Sequence, residues 1–155
     1  ALALAGDRVH GVIVGDGPLR ESLVQQAQRH GIAHRVHFTG LRAQASRDLA
    51  AFDVLALTSR TEGTPMVLLE AMWAGVPIVA TAVGGVPDVL GADDALLCPE
   101  GDAAAIAAAI GRLGTDTALC ATLARRARAR VAAVFGPDDW LAAHETLYRR
   151  FVRAE

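Results

Sequence analysis

The chain has 155 residues and a formal net charge of −2, and 52% of it is apolar, which is too apolar and too weakly charged for a disordered polypeptide. The near balance of 15 basic and 17 acidic residues argues against a dedicated nucleic-acid binder. All fifteen basic residues are Arg, so any chemistry that needs a Lys has to come from outside this chain.

Residues 9–14 predict a short buried strand rich in Val and Ile, closed by Gly15-Asp16-Gly17-Pro18. A helix is predicted over 18–29, with Leu19, Leu23, Val24 and Ala27 at helical spacing and Gly31 as its stop. Residues 36–38 predict a second strand ending at Thr39-Gly40, 46–51 a short helix and 53–57 a third strand. Thr64-Pro65 predicts a helix start with Thr64 as N-cap and Pro65 at N1, and Gly75 ends that helix. A strand at 76–80, the Gly84-Gly85 turn, a short helix near 87–90 and a last strand at 95–98 follow. Helices are then predicted over 102–113, 115–134 and 137–152, the last two separated by Gly136-Pro137.

Strands alternating with helices imply an α/β fold, a parallel sheet with helices on both faces and a helical C-terminal tail, built as a single domain over 1–155. In such sheets the ligand crevice lies at the carboxyl ends of the strands, so the loops at Gly15, Gly40, 59–64 and 82–85 are the ones to examine. Cys98 and Cys120 form no C-x-x-C pair, which suits a reducing compartment and offers no metal or disulfide framework. No signal peptide is recognised, and Glu70 interrupts the longest apolar run before it reaches membrane-spanning length. A cytoplasmic protein is expected.

The densest chemical signal is Ser59-Arg60-Thr61-Glu62-Gly63-Thr64-Pro65-Met66-Val67-Leu68-Leu69-Glu70-Ala71. Glu62 falls in a strand-to-helix loop, and Glu70 follows eight positions later inside an apolar helix. Between them the helix N-terminus offers the N–H groups of Met66, Val67 and Leu68 as an anion site. Glu70 would lie about 8–9 Å further along the axis at 1.5 Å per residue. That separation suits a ligand with a diphosphate at one end and a ribose further on, because a carboxylate can accept from two vicinal hydroxyls. The plainer alternatives are a Glu70 paired with an Arg and a Glu62 that only caps a loop.

Glu62 and Glu70 match the E-x₇-E motif, and the chain resembles the retaining glycosyltransferases of the GT-B fold, family four. The resemblance extends to Val12-Ile13-Val14-Gly15-Asp16-Gly17-Pro18-Leu19-Arg20 and to Arg35-Val36-His37-Phe38-Thr39-Gly40. It continues through Glu70-Ala71-Met72-Trp73-Ala74-Gly75-Val76-Pro77-Ile78-Val79-Ala80-Thr81 and Gly84-Gly85-Val86-Pro87-Asp88, where Asp88 replaces the more usual Glu. Phe135, Trp140 and Tyr148 fit the tail.

The resemblance implies the C-terminal, donor-binding domain of a two-domain enzyme that transfers a glycosyl group with retention and without a metal or cofactor. Glu62 would contact the donor sugar and act as the catalytic residue. Gly63, Thr64 and Pro65 would shape the sugar pocket. The amides of Met66 and Val67 would hold the diphosphate and Glu70 the ribose. Thr39, Gly40 and Leu41 would meet the base, and the turn from Gly15 to Gly17 would line the same cleft. The donor would be a UDP-, GDP- or ADP-linked sugar. A basic pair of the family that grips the diphosphate, an Arg and a Lys, is expected before Ala1. The first strand–helix unit of this domain and the acceptor-binding N-terminal domain are expected there too, so the fragment alone is expected to be inactive. A nucleotide-sugar epimerase of related architecture and a non-catalytic nucleotide-binding or interaction domain remain alternatives.

Other signals carry less. His30, His34 and His37 straddle a helix end, a turn and a strand and are not expected to converge on a metal. Gly15-x-Gly17 lacks the third Gly of a dinucleotide fingerprint. Arg125, Arg126, Arg128 and Arg130, with Arg149, Arg150 and Arg153 later, read as a solvated face, with attraction to anionic lipid at the inner face of the membrane as the other reading. Trp73 and Trp140 are expected to pack, and Ser59 has no His and Asp nearby in sequence for a hydrolase triad.

Overall fold

A computed structural model describes residues 1–152. Five strands alternate with helices: β1 (Gly11–Val14), α1 (Arg20–Arg29), β2 (Val36–Gly40), β3 (Leu55–Leu57), α2 (Met66–Ala74), β4 (Ile78–Thr81), α3 (Val86–Val89) and β5 (Leu96–Cys98). Three helices then close the chain: α4 (Ala103–Thr115), α5 (Thr117–Val134) and α6 (Pro137–Val152). Short 3₁₀ segments occupy Leu2–Leu4, Ala33–Arg35 and Ala45–Ala51, the last in place of the short helix expected at 46–51.

Every strand pair is parallel, as expected, but the ladder is in two pieces. β1 pairs with β2, and β3, β4 and β5 form a three-stranded sheet in that order. β4 is its centre, and all four of its residues are buried. The pleat sends Ile78 and Ala80 into one core with Leu68, Ala71 and Met72 of α2 and Ala127 and Val131 of α5. Val79 points the other way, into a core with Cys98, Ile106 and Leu113. This is the two-faced cover expected of a parallel sheet.

β1 departs from expectation. It was expected to be buried, yet Val12, Ile13 and Val14 are 41%, 36% and 37% exposed. The physical reason is that β1 has a partner strand on one edge only, and among the described residues no strand joins it to β3. Leu2 folds over the amino end of β1, where its side chain fills the space beside Gly11.

The helix boundaries follow their caps. Asp102 accepts from the Ala105 amide at 2.8 Å and Asp116 from the Leu119 amide at 2.8 Å, so α4 and α5 are two helices separated by a capping aspartate. Gly75 ends α2 at φ 71°, a left-handed conformation that suits glycine. The start of α2 differs from expectation. Thr64 makes no capping bond, and Pro65, in an extended conformation (φ −71°, ψ 109°), is the N-cap instead of the first helical residue. Its carbonyl accepts from the Leu68 amide at 3.0 Å and closes the first turn without a side chain.

Of the α5 arginines expected on a solvated face, Arg130 departs. Arg130 donates to the carbonyls of Val89 (2.8 Å) and Asp88 (2.7 Å) and so caps the carboxyl end of α3. Arg125, Arg126 and Arg128 are exposed, and Arg126 pairs with Asp93 at 3.0 Å. Trp73 and Trp140 are 47% and 59% exposed and belong to neither core, contrary to the packing role expected for them.

Candidate functional site

The loops singled out in the sequence all leave the carboxyl ends of strands, where the backbone stops pairing and its polar groups become available to a ligand. They fall into two groups.

The first group closes the ends of β1 and β2. The Gly15 amide donates to the Gly40 carbonyl at 2.9 Å, and the Thr39 hydroxyl reaches the Ile13 and Gly40 carbonyls at 3.4 and 3.1 Å. Asp16 accepts from the Gly17 amide at 2.8 Å, folding its side chain back into its own turn. Arg20 lies 6.0 Å above the Phe38 ring. Leu41 follows with 82% of its surface exposed, an apolar side chain in water at the lip of the strand ends.

The second group surrounds Glu62. Its carboxylate accepts from the Ser59 hydroxyl at 2.6 Å, and its carbonyl accepts from the Gly85 amide at 3.2 Å. Gly63 and Thr64 are exposed, whereas Pro65 is buried under the loop and shapes it from beneath. Because the Pro65 carbonyl takes the Leu68 amide, that amide is not free for an anion, contrary to expectation. The Met66 and Val67 amides have no partner among the described residues and point out of the helix end. With α2 beginning at Met66, Glu70 stands four residues, about 6 Å, along the axis from it. Glu70 is exposed and makes no hydrogen bond or ion pair with the described residues, so the Arg-paired alternative is not what forms. Glu62, the Met66 and Val67 amides, and Glu70 therefore follow one another from the β3–α2 loop into α2. No hydrogen bond joins this group to the β1–β2 group among the described residues.

Three residues that sequence reasoning undervalued complete the picture. Ser59, weighed only as a nucleophile, is a partner of Glu62. Its offset of three residues in a loop was the available signal. Thr81, the last residue of β4 and buried, donates to the Ser59 carbonyl at 2.6 Å. Arg35, read only as part of a motif, is 5% exposed and donates to the carbonyls of Gly6 (2.6 Å) and Val9 (2.8 Å), with its Nε buried and unpartnered. The partners of Thr81 and Arg35 lie 22 to 29 residues away, beyond the reach of local pattern reading.

No group of three or more metal-ligating side chains gathers among the described residues. Cys98 and Cys120 are free. Burial, with Asp102 adding to it, pushes the Cys98 thiol up, and burial and Asp116 do the same for Cys120, so neither is an activated nucleophile. No helix among the described residues is long and apolar enough to cross a membrane.

A parallel α/β layer with an acidic loop beside an open helix N-terminus is the outline of a nucleotide-recognising domain. The profile described as glycosyl transferases group 1 matches residues 1–116, and the chain belongs to that family. It is 35% identical over 143 residues to N-acetyl-alpha-D-glucosaminyl L-malate synthase of Bacillus anthracis, covering 92% of this chain and 38% of that protein. The structure superposes on Anabaena HepE in complex with UDP-glucose at a TM-score of 0.88 and 32% identity, covering 96% of this chain and 43% of that one. Sucrose-phosphate synthase from Thermosynechococcus elongatus superposes at 0.90 and 30% identity, covering 99% and 41%. The fold is thus the Rossmann-like, C-terminal half of the GT-B architecture, and the chain spans about two fifths of the length of these relatives.

Proposed function

We propose that this domain binds the nucleotide-sugar donor for a retaining glycosyl transfer that needs no metal or cofactor. The observation that carries the reading is the succession along one loop and helix: Glu62 fixed through one oxygen, the open amides of Met66 and Val67, and the unpaired carboxylate of Glu70. Glu62 acts at the donor sugar, in a pocket formed with Gly63, Thr64 and the underlying Pro65. The two amides and the helix dipole take the diphosphate and stabilise it as it leaves. Glu70 accepts from the ribose hydroxyls. Thr39, Gly40 and Leu41 meet the base, and Gly15 and Gly17 line the cleft beside it. The UDP and UDP-glucose complexes of HepE favour a UDP-linked sugar over GDP- or ADP-linked ones.

The exposed face of β1 and the unpaired edges of β1 and β3 support a further parallel strand between them, brought by polypeptide outside these 155 residues. The basic residues for the diphosphate and the acceptor-binding domain would come from the same source. The 155-residue chain alone then binds donor without transferring sugar, and we place it in the cytoplasm.

Calorimetric titration with UDP, GDP and ADP, alone and as sugar conjugates, tests the reading. Glu70→Ala is expected to weaken binding of the preferred nucleotide by about 1.5–3 kcal/mol, the range of a hydrogen bond to a charged group. Unchanged affinity would remove Glu70 from the site, absence of all nucleotide binding would favour an interaction domain, and measurable transfer by the chain alone would refute the need for a second half.

A further inference from the structure

A carboxylate on an exposed loop ordinarily samples several rotamers, because water satisfies it equally well in each. Glu62 is held differently. Its Oε1 accepts from the Ser59 hydroxyl at 2.6 Å, the short distance of a charge-assisted bond. Its carbonyl accepts from the Gly85 amide, and the Gly84-Gly85 turn lies directly against the Glu62 and Gly63 carbonyls, where a Cβ on either glycine would collide. Ser59 is in turn fixed from below. The β3–β4 ladder ends with Leu57 opposite Ala80, and one residue on, the buried Thr81 hydroxyl reaches across at 2.6 Å to the Ser59 carbonyl. The central strand therefore ties down Ser59, and Ser59 ties down Glu62.

We infer that Ser59 is the positioning residue for Glu62, with Thr81 fixing Ser59 from the end of β4. The chemistry of the donor matters. An Arg or Lys in this place would orient the carboxylate but also neutralise it, whereas a hydroxyl orients it and leaves its charge. With Oε1 engaged, Oε2 is the oxygen offered to a ligand, in one direction. For its functional readout the inference rests on the donor-site reading; its geometric content does not.

The test compares Ser59→Ala with Ser59→Thr, which keeps the hydroxyl, after confirming by thermal unfolding that both fold. The readout is the ratio of UDP-glucose to UDP affinity, which isolates the sugar end of the ligand. Ser59→Ala is expected to lower that ratio roughly three- to tenfold, the effect of one hydrogen bond, and Ser59→Thr to retain it. In a Glu62→Ala background the Ser59→Ala change should do nothing more, since its effect runs through Glu62. An unchanged ratio, or a loss of equal size without Glu62, overturns the inference. If the chain binds neither UDP nor UDP-glucose, the donor-site reading fails, and the crystal structure of unliganded Ser59→Ala decides the positioning role. A Glu62 carboxylate that leaves its place supports it, and one that stays overturns it.

Discussion

β1 and β4 are both four-residue parallel strands made largely of small and branched apolar residues, yet one is half in water and the other is wholly enclosed. The difference is not in the residues but in the neighbours. β4 has a strand on each edge and a core on each face, with α2, α3 and Ala127 and Val131 of α5 on one side and α4 and Leu123 of α5 on the other. Among the described residues β1 has one partner strand, one residue folded over its start, and an open edge. Strand propensity describes fitness for a pleated, half-buried surface, and only the surrounding elements decide how much of that surface is covered.

This contrast can be broken at its strong end first. Leu68, fully buried in α2 against the β4 core, should cost about 2–5 kcal/mol when cut to Ala, measured by denaturant unfolding, because neighbouring helices leave little room to collapse into the cavity. A middle-sized effect is expected at Arg35. Arg35→Met removes two bonds to the Gly6 and Val9 carbonyls and should cost about 1–3 kcal/mol. Hydrogen exchange should show protection falling at β1 and β2 while β4 keeps its own; equal loss in both would mean that the two sheet pieces unfold as one. The smallest effect is expected at the open face, where Val12→Thr should change stability by less than about 0.5 kcal/mol by the same denaturant measurement. A larger loss there would show that the face is covered in solution.

The sequence made the helical half most legible. The helices expected over 102–113, 115–134 and 137–152 form at Ala103–Thr115, Thr117–Val134 and Pro137–Val152, and the capping Asp102 and Asp116, expected inside the first two, stand just before them instead. Parallel pairing followed from the alternation of strands and helices. The errors share a cause. Thr64 has the chemistry of an N-cap, but the backbone shape of Pro65 took that place, and with it the amide of Leu68. The burial of β1 was inferred from its residues, whereas burial belongs to the assembled sheet. At the candidate site the positions of Glu62 and Glu70 could be read from their spacing and their resemblance to a family motif. What holds Glu62 could not, because Thr81 and Gly85 come from a strand end and a turn some twenty residues later.

The exposed Trp73 has a practical consequence. It sits three residues after Glu70 on α2, and residues at that spacing are neighbours on a helix surface. An indole in water beside an unpaired carboxylate is a built-in optical sensor: a nucleotide ribose settling on Glu70 would alter the polarity around Trp73 and shift its emission. Donor binding, if it takes place as proposed, could then be followed in the unlabelled chain, with Trp140→Phe removing the emission of the other tryptophan, on α6.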